Sequence, residues 1–254
     1  MYFESHAHYD DKRFRTDREE LLQELLPAGG IDYIVNIGCD VKSSEMSLRL
    51  AKKYDYVYAA VGIHPGELED ISSKTMERLR QLSQNPKCVA IGEIGLDYHY
   101  DDGYPKEMQR FWFRQQLRLA EEVNKPVVIH SREASQETFD IIESTKVRKG
   151  VIHCYSGAWQ MAEDYVKMGY HIGVGGVVTY SNAKKLVEVV EHIPLESILI
   201  ETDSPYLAPT PNRGKRNDSR NLEYVVKKIA EIKGTTAENV AKLTFENAKK
   251  VFFS

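Results

Sequence analysis

Short apolar runs rich in Val and Ile alternate with longer amphipathic stretches along the whole chain, and this alternation limits the fold more than any other feature. After an apolar start at Tyr2-Phe3, strands are predicted at Tyr33–Gly38, Val57–Val61, Val89–Glu93, Pro126–His130, Gly150–His153, Tyr170–Val174 and Ser197–Thr202. Helices are predicted between them. The first is Asp17–Leu26, with Asp17 as its cap and Gly29-Gly30 as its stop. Ser43–Tyr54, Lys74–Ser83, Pro105–Val123, Glu133–Ser144, Ala158–Met168 and Ala183–His192 follow, and Leu222–Lys233 and Ala237–Phe252 close the chain. Pro105 suits a first helical turn, where its missing N–H has no partner to lose. Strands apolar on both faces, each followed by a helix, are the sequence form of a parallel sheet covered by helices. Repeated over 254 residues, they predict an α/β chain with a single-domain (β/α)8 barrel, its active site at the C-terminal ends of the strands. A doubly wound open sheet is the rival fold, but no glycine-rich phosphate turn follows the first strand. No repeat, linker or low-complexity stretch divides residues 1–254.

Composition sets outer limits. Hydrophobic residues make up 42% and charged residues 28%, as in an ordinary globular protein, and the formal net charge is −4. That balance argues against a broad basic face for duplex nucleic acid while leaving room for a local patch. Cys39, Cys88 and Cys154 are scattered and read as reduced thiols. The acidic and histidine-bearing N-terminus is no signal peptide, and no apolar run approaches the ~18 residues that span a membrane. The expectation is a cytoplasmic protein with no membrane association and no obligate protein partner.

The polar residues carry the function. In Ser5-His6-Ala7-His8-Tyr9-Asp10 the alternation of an extended strand puts His6 and His8 on one face, with Ala7 turned away. Neutral imidazoles side by side are a ready pair of metal ligands. Glu93, His130, His153 and Asp203 end four further predicted strands. In a closed parallel barrel all these ends gather at one mouth. Two nearby divalent ions repel each other, and a shared carboxylate offsets the repulsion, so Glu93 is the natural bridge. Asp203 can ligate and also move protons. Cys154 adjoins His153 and is expected to point to the opposite face, as packing. Asp97 is expected as an outer partner of a ligand or a turn former, and His171 and His192 as structural residues.

The segments His6-Ala7-His8, Gly92-Glu93-Ile94-Gly95-Leu96-Asp97-Tyr98, Ile129-His130-Ser131-Arg132, His153-Cys154-Tyr155-Ser156-Gly157 and Glu201-Thr202-Asp203-Ser204-Pro205-Tyr206-Leu207-Ala208-Pro209 resemble the motif series of the TatD family of metal-dependent deoxyribonucleases, in the amidohydrolase-like superfamily. The resemblance runs from residue 5 to about residue 217. It implies two divalent ions, one held by His6, His8, Glu93 and Asp203, the other by Glu93, His130 and His153. It also implies hydrolysis of DNA phosphodiester bonds, often from the 3′ end of single strands. Mixed imidazole and carboxylate ligands accept zinc, magnesium or manganese alike. A rival within the superfamily is hydrolysis of another ester or an amide, such as an aminoacyl-tRNA ester.

Around this centre, His64 in Gly-Ile-His-Pro is expected to contact a substrate phosphate or to line the pocket. Arg213, Lys215, Arg216 and Arg220, in the loop after the strand that carries Asp203, are candidate phosphate contacts, with Arg132 a weaker one, because the planar guanidinium matches a phosphate. Tyr206 is a candidate for stacking on a base. Asp218-Ser219-Arg220-Asn221 lacks the Glu-Pro that the family pattern would place after the basic loop.

Overall fold

Eight parallel strands pair in strict sequence order in the computed structural model, which describes residues 1–26 and 30–254. They are β1 (Tyr2–Ala7), β2 (Ile31–Ile37), β3 (Val57–Val61), β4 (Cys88–Asp97), β5 (Val127–Arg132), β6 (Gly150–Ile152), β7 (Tyr170–Val174) and β8 (Ile198–Ile200). The covering helices are α1 (Arg18–Leu25), α2 (Val41–Lys53), α3 (Ser73–Ser83), α4 (Lys106–Val123), α5 (Ser135–Glu143), α6 (Trp159–Lys167) and α7 (Lys184–His192). Two more, α8 (Leu222–Lys233) and α9 (Ala237–Phe252), end the chain. The (β/α)8 expectation holds. Of the predicted stop for α1, Gly29 lies outside the described residues.

The sheet closes between β1 and β8. Ala7 bridges Ser204 in parallel, His8 N–H donates to Ser204 O (2.7 Å), and Asp203 N–H donates to His6 O (3.0 Å). Below that seam the buried Glu4 carboxylate accepts from Thr202 N–H (2.9 Å) and from Thr202 Oγ1 (2.7 Å), and Ser5 Oγ donates to Ile200 O (2.9 Å). Bonds across the seam satisfy the buried groups they join, as buried polar groups require.

Strand alternation then decides which side chains face the barrel axis. One buried cluster collects Phe3, Val35, Val128, Val151 and Leu199 from different strands and closes on Val251 and Phe252 of α9, whose Phe252 ring stacks on Phe3 at 5.8 Å. In phase with Val128 comes His130, with Val151 comes His153, and with Leu199 come Glu201 and Asp203. Two strands break phase. The β1–β2 register shifts between Glu4 and Ala7, and the β4–β5 register shifts between Ile91 and Ile94. These irregularities re-aim the side chains beyond them, bringing His6, His8 and Glu93 to the mouth.

Three local expectations need correction. β4 runs four residues past Glu93, because Gly95 lets its backbone lie against β5 and the pairing continues to Asp97 and Arg132. Asp17 flanks α1 without a side-chain capping bond, since its carboxylate is taken by Arg216. Cys154 does not turn away from His153: its φ of +45° breaks the alternation after β6, and both residues line the same cavity.

Gly95 has a φ of +149°, and a Cβ there would lie 1.9 Å from His130 O. Gly95→Ala should therefore destabilise the protein by about 3 kcal/mol through strain and clash together, read as a lower midpoint in denaturant unfolding.

Candidate metal centre

His6 and His8 bring their Nε2 atoms to 3.1 Å of each other at the mouth of the barrel. His8 Nδ1 is 2.9 Å from Ile37 O. A carbonyl can only accept, so Nδ1 carries a proton, and in the neutral, metal-binding form of the ring the lone pair is on Nε2. The partnerless Nδ1 of His6 leaves its tautomer open, so Nε2 donates a hydrogen bond to His8 in one form and in the other offers a second lone pair for an ion between the rings. A tetrahedral ion with bonds near 2.0–2.1 Å sets its ligands roughly 3.3 Å apart, so the spacing fits a shared ion.

Glu93 divides its two oxygens. Oε2 faces His6 Nε2 (3.6 Å) and His8 Nε2 (3.8 Å), while Oε1 faces His130 Nδ1 (3.0 Å) and His153 Nε2 (3.6 Å). Asp203 Oδ1 joins the first set, 3.4 Å from His8 Nε2 and 3.7 Å from His6 Nε2. The six residues expected as ligands are thus brought together, with Glu93 where a bridge between two ligand sets would stand.

The outer contacts orient these rings. His130 Nε2 lies 3.2 Å from Asp97 Oδ2, so Asp97 fills the expected outer role, and its Oδ1 also accepts from His99 N–H at 3.0 Å. His153 Nδ1 lies 3.0 Å from Glu201 Oε1, at an angle that makes no hydrogen bond, and that oxygen accepts from Cys154 N–H (2.6 Å). Carboxylates behind ligating histidines fix the ring and raise its basicity. Glu201 and Glu4 were not singled out from the sequence. The signal was there: each is a carboxylate inside an otherwise apolar strand or at its end, and both are fully buried.

Burial and neighbouring charge compete throughout the site. Burial favours a neutral Glu93, but the imidazoles of His153 and His6 hold its carboxyl well below the usual range. Burial likewise opposes the charge of Asp203, and His8 and His153 outweigh it. Burial opposes the proton on His153, yet Glu201 and Glu93 push it up to about 9. His8 is raised above the ordinary value, against burial, by the Asp203 carboxylate beside it. His6 is lowered by burial and by the neighbouring His153. His64 is lowered to about 3 by burial and by His130. Its Nδ1 accepts from Gly66 N–H (3.0 Å), which leaves the proton on Nε2, 3.9 Å from Glu93 Oε1. Burial pushes the Cys39 thiol up to about 12, and burial with Asp203 beside it raises Cys154, so neither is a thiolate nucleophile.

The residues expected to meet substrate separate into two groups. Arg132 and Tyr206 line a cavity of about 400 Å³ with His130, His153 and Asp203, and the Tyr206 ring is 6.4 Å from that of His8. His64 lines a second cavity beside it. Arg213 stacks over Tyr180 at 4.3 Å. Lys215 and Arg216, in contrast, line a separate hollow that contains none of the metal ligands. Arg216 is held by Asp17 (2.7 Å) and by Arg13 O (2.9 Å), with its guanidinium over Phe14. A carboxylate-paired arginine packed on a ring ties the loop to the body of the barrel. Ser219, in the segment that departs from the family pattern, bonds Tyr9 Oη at 2.7 Å and anchors the same loop.

A barrel mouth carrying this donor set defines a metal-dependent hydrolase. The chain matches the model of TatD related DNases over residues 3–253. It is 41% identical over 254 residues to the metal-dependent hydrolase YabD of Bacillus subtilis, covering 99% of each chain. It is 33% identical over 255 residues to the metal-dependent hydrolase TatD of Mycobacterium tuberculosis, covering 98% of this chain and 97% of that one. The crystal structure of YjjV, a TatD homologue from Escherichia coli, superposes with a TM-score of 0.94 at 34% identity, covering 100% of this chain and 98% of that one. The chain belongs to the TatD family.

Glu201→Gln should weaken zinc or manganese binding about 10–100-fold, the usual effect of losing an outer-shell carboxylate, as read by calorimetric titration. Ligation needs the neutral ring, and His153 holds its proton up to about 9. Metal affinity should therefore fall as pH drops through that value, with proton release on binding visible in buffers of different ionisation enthalpy.

Proposed function

We propose that the chain hydrolyses phosphodiester bonds at the ends of single-stranded DNA, using two divalent ions held by His6, His8, Glu93 and Asp203 on one side and by Glu93, His130 and His153 on the other. The observation that carries this reading is the division of the Glu93 oxygens between two ligand sets. Zinc, magnesium and manganese all suit these ligands. Bound ions supply Lewis acidity, bringing the pKa of a coordinated water toward neutrality and polarising the phosphoryl oxygens.

The chain's own residues do the rest. Asp203, 17% exposed at its side chain, turns Oδ1 to the histidines and leaves Oδ2 to take the proton of the attacking water. Arg132 presents its guanidinium to the phosphate from the cavity wall. His64 offers its Nε2–H to charge developing on the reacting group, because Gly66 fixes the other nitrogen as an acceptor. The buried walls keep these groups in a low dielectric, where their charges act more strongly than in water. The family's description as DNases supports DNA as the substrate.

A single-stranded oligonucleotide labelled at its 5′ end, incubated with magnesium or manganese, should shorten from its 3′ end into a ladder. Asp203→Asn should lower the rate at least about a thousandfold while leaving the circular dichroism spectrum unchanged. Intact DNA with all three metals would reject the DNA reading and turn the search to other esters, with aminoacyl-tRNA first.

A further inference from the structure

Two cavities open on either side of the metal ligands, and they differ in charge. The first, about 400 Å³, is walled by Arg132, Tyr206 and Leu207 beside the ligands. The second, about 590 Å³, contains His64 and Asp97, has Tyr100 at its lip, and adds Glu69 and Asp102. They meet across His64 and His130, whose ring centroids are 4.4 Å apart. Arg132 stands on the ridge between them, lining the first cavity and donating from Nη1 to Tyr100 Oη at 3.2 Å.

Tyr206 Oη donates to Asp11 at 3.2 Å, and four charged side chains on the two flanks, Arg13, Arg132, Glu69 and Asp102, make no ion pair among the described residues. Arg13 lies over the Tyr206 ring at 4.4 Å, and among the described residues neither Arg13 nor Arg132 pairs with a carboxylate. Glu69 and Asp102 are exposed and likewise make no ion pair or side-chain hydrogen bond among the described residues. Tyr206 is 41% and Tyr100 59% exposed, each held against an arginine. Flat rings offered to solvent beside a reaction centre are stacking platforms for nucleobases.

A nucleic acid strand carries a negative charge at every linkage. The first cavity, with the Arg132 guanidinium in its wall and Arg13 over the Tyr206 ring at its edge, favours that chain of charges. The second, with three carboxylates, opposes any phosphate beyond the one at the metal ligands. A nucleoside is uncharged and has an aromatic face, which Tyr100 can receive. Resting on the phosphodiesterase reading above, we propose that the strand runs out through the cavity lined by Arg132 and Tyr206, and that the cavity lined by Glu69, Asp97 and Asp102 accepts a single terminal nucleoside. Electrostatic exclusion, rather than a steric wall, then confines cleavage to strand ends.

The test compares metal-loaded protein on single-stranded oligonucleotides ending in a hydroxyl with the same strands carrying a terminal phosphate, at either end. The wild type should release mononucleotides and prefer the hydroxyl end by about tenfold or more in kcat/KM, the preference shrinking with added salt. Glu69→Gln combined with Asp102→Asn should reduce the preference by about fivefold or more. A merely structural role for these exposed residues would leave that ratio unmoved. Equal cleavage of both strands by the wild type, dinucleotide products, or an unchanged ratio in the double variant would overturn this proposal and leave the phosphodiesterase reading standing. No cleavage of either strand would overturn that reading, and this inference with it.

Discussion

Everything at the mouth of the barrel depends on one buried carboxylate. Glu93 is 3% exposed, and a charge so placed is costly unless it is paired and hydrogen-bonded. Five histidines surround it, and four of them, His130, His6, His153 and His8, are in turn held by Asp97, Asp203, Glu201 and a backbone carbonyl. Removing one partner from such a set leaves the others uncompensated, which is why paired buried charges fail together. The arrangement is therefore more than a collection of ligands. It is a balanced cluster whose members set one another's charge, and the strands beneath it must hold their register to keep them in reach.

Much of this was readable from the sequence, for a definable reason. Apolar runs of four to six residues separated by amphipathic stretches admit few folds, and a polar residue that ends such a run must point somewhere it can be satisfied. His130, His153 and Asp203 follow this rule directly, each in phase with an apolar residue facing the axis. His6, His8 and Glu93 do not. Their orientation needs the register shifts in β1 and β4, which depend on the neighbouring strand and leave no periodic trace in the chain itself. Glu4 and Glu201 escaped notice because a strand pattern registers them as interruptions, whereas the structure makes them the polar scaffold of the seam and of His153.

The basic loop after β8 teaches a different lesson. Four cations close in sequence suggested one phosphate-binding surface, yet Arg216 and Arg220 are taken by Asp17 and Asp218 and hold the loop in place. Arg213 of the same loop rests on the Tyr180 ring with no carboxylate partner among the described residues, as do Arg13 and Arg132, from distant segments, on Tyr206 and Tyr100. Charge density along the chain does not reveal which side chains remain available. Only the partners brought by folding do, and here they separate the loop-building Arg216 and Arg220 from Arg132 in the cavity wall.

The seam between β1 and β8 has a consequence for the life of the molecule. Ser5 and Ile200, 195 residues apart, are joined there by a hydrogen bond, and His6, His8 and Asp203 stand immediately above them. An ion seated on those three side chains would act as a clasp across nearly the whole chain, closing a very long loop in the manner of a crosslink. Metal supply would then govern how readily the ring of strands springs open, and so how long a molecule survives proteolysis, as well as whether it turns over substrate. In this family architecture the cofactor and the keystone of the barrel occupy the same place.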